Sequence, residues 1–74
     1  MYLKKGMVIN MKASLLKAME LAVNAEAQAR DRYKELAKQA EDQETRLLFE
    51  QIAREEDMHL KKLSERLKAL KMMG

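Results

Sequence analysis

Three polar side chains interrupt two otherwise apolar stripes in this 74-residue sequence, and their chemistry suits metal binding. Glu26 lies in the first half of the chain, whereas Glu56 and His59 lie in the second. Carboxylate oxygen and imidazole nitrogen are ligands that iron, manganese and zinc accept. Burying an ionised carboxylate without a partner is costly, and a core this small has little free energy to offset it. We therefore predict that Glu26, Glu56 and His59 bind metal.

Both stripes have the spacing of helices that pack against other helices, because their members recur at steps of three and four residues. The first stripe consists of Leu15, Met19, Ala22, Glu26, Ala29, Tyr33, Leu36 and Ala40. The second stripe consists of Ile52, Glu56, His59, Leu63, Leu67 and Leu70, with Leu48 or Phe49 extending it backwards. Glu55 and Asp57 fall off the second stripe, and we interpret them as ordinary surface charges.

The composition predicts an all-α protein, because proline is absent, only Gly6 and Gly74 are glycines, and good helix formers dominate. We expect an N-terminal arm over residues 1–10 and a helical hairpin over residues 11–74, with helix one at about 11–40 and helix two at about 43–71. Asn10 is a candidate N-cap for helix one, and Asp42 is one for helix two. One continuous helix is the alternative, since no glycine or proline enforces the turn.

A turn near residue 42 would bring the three polar side chains to one level. At a rise of about 1.5 Å per residue, Glu26 lies about 21 Å from Ala40 along helix one. The midpoint of Glu56 and His59 lies about 20 Å from Glu44 along helix two. The agreement of these two depths favours the hairpin over a continuous helix.

A single hairpin supplies only two carboxylates and one imidazole, and a chain this short usually needs a disulfide, a metal or a partner subunit. The sequence has no cysteine, which excludes disulfides and thiolate ligands. An antiparallel homodimer with its two-fold axis at the ligand level supplies four carboxylates and two imidazoles. Two divalent ions would neutralise the four carboxylates. We therefore predict a homodimer that forms a four-helix bundle, and the sequence leaves a larger oligomer open.

Two segments around these residues resemble a known family. The segment from Ala25 to Tyr33 and the segment from Leu48 to His59, which ends in Glu-x-x-His, resemble those of the ferritin-like superfamily. The resemblance is closest to its rubrerythrin-like branch and to half-length members that consist of one hairpin, and it covers about residues 15–70. It implies that Glu26 is a terminal or bridging ligand, that Glu56 bridges two metals and that His59 binds one of them.

The resemblance also implies a di-iron carboxylate centre with two iron ions per dimer, although the ligand types admit manganese or zinc. Its activity would be that of a ferroxidase or of a centre that reduces peroxide or oxygen, and whether the protein is an enzyme stays open. Tyr33 would donate a hydrogen bond near the ligands, with simple packing as its alternative. Rubrerythrins usually carry a cysteine-ligated rubredoxin domain that this chain lacks, so peroxidase activity would require an external electron donor.

Three further interpretations remain. Glu56 and His59 could form a buried polar pair that fixes the register of the bundle. A metal-free homodimeric hairpin could act as an RNA-binding or scaffolding module through its basic second helix, or bound metal could serve only as a structural staple. The net charge of +3 gives nucleic-acid binding little support. No apolar run is long enough for a membrane span or a signal peptide, so we expect a cytoplasmic protein.

Overall fold

A computed structural model describes the backbone of residues 2–73 and the side chains of residues 12–73. It consists of two α-helices, α1 (Tyr2–Gln39) and α2 (Gln43–Met72), which pack along each other as an antiparallel hairpin. The hairpin is elongated and measures 61 × 18 × 13 Å. The prediction of an all-α helical hairpin is therefore confirmed.

The turn lies at residues 40–42, and Asp42 caps α2 as predicted. Asp42 has an extended backbone, with φ −109° and ψ 153°, and its carboxylate accepts a 2.9 Å hydrogen bond from the backbone N–H of Thr45. This hydrogen bond satisfies a helix N–H that would otherwise lack a partner, and it lowers the pKa of Asp42. Between residues 2 and 73 no backbone φ is positive, so the turn forms without a left-handed residue.

Helix α1 begins at Tyr2 rather than at about Met11, and it passes through Asn10, the candidate N-cap. The physical reason is that the N-terminal tract contains no proline, and the single Gly6 weakens a helix without ending it. The division of the chain at residue 10 into an arm and a hairpin stays a prediction. Neither described helix has the combination of length and apolar composition that crossing a membrane requires.

Two alanines are the most deeply buried side chains described in the hairpin, and both lie between the ligand residues and the turn. Ala37 and Ala53 are each 4% exposed, and they are the only buried residues among those whose side chains are described. Their small side chains allow the helices to approach closely. Beside them the rings of Tyr33 and Phe49 lie 5.9 Å apart at an interplanar angle of 34°, a distance typical of aromatic pairs.

Most of the predicted stripes are only half-buried in the hairpin. Phe49, which is half-buried, extends the second stripe, whereas Leu48 remains 53% exposed. Leu15, the first member of the other stripe, is 48% exposed. The two helices therefore cover only part of each other's apolar surface.

Candidate metal centre

The hairpin brings Glu26, Glu56 and His59 together at one level, although Glu26 comes from α1 and the other two come from α2. The Nδ1 atom of His59 lies 3.2 Å from Oε2 of Glu26 and 3.4 Å from Oε1 of Glu56. One ligand atom from each residue can be chosen so that all three lie within 4.8 Å of one another. The cluster supplies two oxygen donors and one nitrogen donor, and that these bind metal stays a prediction.

The spacing of these atoms is close to that of neighbouring ligands around one metal ion. Bonds of about 2.0–2.2 Å at tetrahedral or octahedral angles place adjacent donor atoms about 3.0–3.5 Å apart. The separations of 3.2 Å and 3.4 Å from His59 Nδ1 fall within this range. The donor types therefore fit a metal such as iron, manganese or zinc, and the two separations from His59 match those of adjacent ligands.

The Oε2 atom of Glu26 is buried and has no hydrogen-bond partner among the described residues. The nearby His59 Nδ1 is close enough, but the contact does not have the alignment of a hydrogen bond. A buried carboxylate oxygen without a hydrogen-bond partner lowers the stability of the fold, and most such groups in proteins are paired. A bound cation would satisfy this oxygen directly, and the register-fixing pair of Glu56 and His59 remains the alternative, since His59 Nδ1 lies 3.4 Å from Oε1 of Glu56.

The three side chains differ in their exposure to solvent. Glu26 and Glu56 are 25% and 18% exposed, whereas His59 is 54% exposed. The carboxylates therefore lie between the helices, and the imidazole lies at the edge of the hairpin. The cluster is open on the side of His59.

An ion pair between the helices lies beside the cluster, and it corrects our interpretation of Asp57 as an ordinary surface charge. A guanidinium N–H of Arg30 donates to the Oδ1 of Asp57 at 3.2 Å, and the Nε–H of Arg30 donates to Asp31 at 3.1 Å. Lys61 lies 3.5 Å from the other oxygen of Asp57. The Arg30 hydrogen bond, aided by the charge of Lys61, lowers the pKa of Asp57.

The sequence contained a signal for this pair, because Arg30 follows Glu26 by one helical turn and Asp57 adjoins Glu56. Opposite charges at one level of a hairpin can meet across it. The predicted stripe did not reveal the pair, since both residues lie at its margin. Glu55 is exposed, as a surface charge should be.

Tyr33 lies on the same stripe as Glu26, and the structure shows it in contact with Phe49. Among residues 12–73, no hydrogen bond from the Tyr33 hydroxyl to another side chain is present. The observed contact is the packing that was the alternative to its predicted role as a donor. That predicted role remains a prediction.

The model of the rubrerythrin family matches residues 17–73, which is more than half of the chain and includes all three cluster residues. The chain belongs to the rubrerythrin family. This membership confirms the resemblance noted in the two sequence segments. No curated protein and no solved structure shows a significant match.

Membership of the rubrerythrin family supports a ferritin-like, di-iron type of function for this chain. The cluster of Glu26, Glu56 and His59 lies within the matched range, and its oxygen and nitrogen donors could hold a metal ion. The three residues lie within the matched range, and their role as the metal ligands stays a prediction.

Proposed function

We propose that two copies of this rubrerythrin-family hairpin form a four-helix bundle that holds two iron ions and acts as a ferroxidase or as a centre that reduces peroxide or oxygen. The observation that carries the proposal is the convergence of three ligand-type side chains around the buried, unpartnered Oε2 of Glu26. A cation bound among these side chains would give the Oε2 of Glu26 the partner that it lacks among the described residues.

The need for a second copy follows from what one hairpin leaves uncovered. Only two alanines are buried among the described side chains, which is too small a core for a stable monomer of this length. The half-exposed Leu15 and Leu48 lie about three helical turns from Glu26 and His59 respectively, and so share their helix faces. A partner hairpin placed on this face would cover apolar surface and close the open side of the cluster.

A two-fold symmetric pair would also complete the set of ligands. Each hairpin contributes one helix with a single glutamate and one helix with Glu-x-x-His, which is the pattern of ferritin-like bundles that hold two metals. Glu26, Glu56 and His59 of both copies supply four carboxylates and two imidazoles. Two divalent ions balance the charge of the carboxylates, so the interior of the bundle becomes neutral.

When bound, a pair of iron ions supplies two electrons at one place to oxygen or peroxide. Residues of this chain would hold and orient that pair: Glu26 and Glu56 would bind it through their carboxylates, and His59 would bind it through a ring nitrogen. Ile52 and Leu63, both half-buried, flank them on the same stripe. Electrons for repeated reduction of peroxide would come from an external donor protein or small molecule.

The proposal is tested by loading the purified protein anaerobically with Fe(II) and then adding oxygen. We expect about two irons per dimer, as the ligand pattern implies, near-ultraviolet absorption from the ferric product, and a dimer by light scattering. Glu56→Ala and His59→Ala should abolish iron uptake. Glu55→Gln is the matched control, since it alters the exposed neighbour of Glu56 and should leave uptake unchanged. Protein that binds no iron, or binds it equally well in all variants, would contradict the proposal.

The small core also favours a second candidate, in which the metal only holds the dimer together. Metal that binds the folded state alone stabilises it by mass action. Chelation would then unfold or dissociate the dimer, while the loaded protein would show no oxidation of Fe(II) above the rate in buffer. Iron uptake accompanied by oxidation of Fe(II) above the rate in buffer would favour the ferroxidase or oxygen-reducing centre instead.

A further inference from the structure

Arg30 lies one helical turn after Glu26 but does not pair with it. A glutamate followed four residues later by a basic residue commonly forms an ion pair on a helix surface. Here the guanidinium of Arg30 instead donates to Asp31 at 3.1 Å and, across the hairpin, to Asp57 at 3.2 Å. Among residues 12–73, the Oε2 of Glu26 has no hydrogen-bond partner.

We propose that Asp57 is a positioning residue that holds Arg30 away from Glu26 and thereby keeps the Glu26 carboxylate free for metal. This inference rests on the proposed metal site and adds a role for two residues that are not ligands. Asp57 acts through Arg30, since its own carboxylate faces Arg30 and Lys61.

The guanidinium of Arg30 and a metal ion would compete for the same carboxylate oxygen of Glu26. Arginine forms strong, charge-assisted hydrogen bonds with carboxylates, and these would have to break before Glu26 could bind a cation. The Arg30 side chain is only 24% exposed, so its positive charge is less screened than that of a surface residue. An unneutralised guanidinium beside the cluster would also repel the incoming metal.

Two further contacts hold this arrangement in place. Asp31 binds the Nε–H of Arg30 and leaves a terminal N–H of the guanidinium to reach Asp57. Lys61 lies on the same helix as Asp57 and 3.5 Å from its second oxygen, which favours the ionised form of Asp57. The side chain of Asp57 is 38% exposed, and its Oδ1 faces Arg30 of α1.

The test is a titration of the full-length protein with Co(II), followed by visible absorption, in four forms: wild type, Asp57→Asn, Arg30→Gln and the double variant. We expect Asp57→Asn to weaken Co(II) binding about tenfold, as loss of a group that orients a ligand commonly does. Arg30→Gln should bind within about threefold of wild type, and the double variant should recover the same affinity, because the competing guanidinium is absent from both. The matched control is Glu55→Gln, which removes one negative charge beside Glu56 without touching Arg30.

A purely structural role for the Arg30–Asp57 pair predicts a different pattern of Co(II) affinities. If the Arg30–Asp57 pair only clamps the helices, Arg30→Gln will weaken Co(II) binding as much as Asp57→Asn, and the double variant will not recover. That outcome overturns the inference, and Arg30→Gln alone decides it should Asp57→Asn fail to fold by circular dichroism. A wild-type protein that binds no Co(II), or binds it as well after Glu26→Gln, removes the metal site itself and the role of Asp57 with it.

Discussion

The packed segment around Tyr33 and Phe49 and the ligand cluster are built in opposite ways. In the packed segment the two rings are in contact, and Ala37 and Ala53, one helical turn to either side of them, are almost completely buried. In the cluster, carboxylates and an imidazole occupy the stripe, Oε2 of Glu26 has no hydrogen-bond partner among the described residues, and His59 is 54% exposed. The packed segment is formed within one chain, whereas the cluster is open on the side of His59.

This difference shows where the hairpin obtains its stability and where it retains capacity to bind. Close packing of small residues stabilises one hairpin without any addition. Polar groups in a helical stripe lower the stability of the isolated chain. A ligand that binds these groups only in the folded state raises the stability of that state. Substitutions in the packed segment and in the cluster should therefore have effects of opposite sign on the stability of the metal-free protein.

The largest effect is expected from Glu26→Met, which replaces the unpartnered carboxylate with an apolar side chain of similar length. Metal affinity should fall by more than about 100-fold, because losing a ligand exceeds the loss of a group that merely orients one. The metal-free protein should become more stable by about 1 kcal/mol, since a partly buried charge is removed. Co(II) titration and urea unfolding of the metal-free form measure the two effects.

Glu20→Met is the control for that experiment, because Glu20 is exposed on the same helix. It should leave both metal affinity and stability nearly unchanged. A loss of stability in metal-free Glu26→Met would mean that Glu26 already has a favourable partner, and the contrast between the packed segment and the cluster would disappear.

A second effect is expected in the packed segment from Ala53→Leu. Because Ala53 is 4% exposed between the helices, the larger side chain should force them to shift, and we expect a loss of about 1–3 kcal/mol from the free energy of unfolding. Urea unfolding of the metal-free protein measures it, and Ala13→Leu at an exposed position of α1 is the matched control. Equal stability of Ala53→Leu and wild type would show that the two helices are not closely packed there.

The smallest effect concerns the pH dependence of the cap at Asp42. The pKa of Asp42 is lowered in the folded chain because the Thr45 N–H donates to its carboxylate. A lowered pKa contributes stability that is fully present above the ordinary value near pH 4 and is lost as the pH falls through the folded value. Asp42→Asn keeps the capping oxygen but does not titrate.

Thermal unfolding of metal-free wild type and Asp42→Asn at pH 5 and pH 3 separates the cap from the other carboxylates, which both proteins share. The midpoint of wild type should fall by a few degrees more than that of the variant on acidification. If the two midpoints fall by the same amount, the Thr45 hydrogen bond does not contribute to stability.

The sequence was sufficient to predict the features that depend on periodicity and on residue type. The hairpin, the cap at Asp42 and the meeting of Glu26 with Glu56 and His59 follow from helical spacing and from equal distances to the turn. These features depend only on how far along each helix a residue lies, which the rise per residue determines.

Features that depend on how the two helices rotate against each other were not predictable in the same way. Ala37 and Ala53 lie one position away from members of the predicted stripes, Leu36 and Ile52, and a small rotation decides which is buried. The Arg30–Asp57 pair depends on where a long side chain reaches across the hairpin. The beginning of α1 was not predictable because marginal helix propensity alone sets no boundary there.

The turn has a practical consequence because its backbone requires no left-handed residue. The exposed Glu41 can be exchanged for other amino acids without strain, and Glu41→Cys would introduce the sole thiol in the chain. A spectroscopic label attached there lies about 20 Å from the ligand level. In a pair related by a two-fold axis at that level the two labels would be about 40 Å apart, whereas two hairpins aligned in the same direction would bring them side by side. One interlabel distance therefore reports the orientation of the subunits.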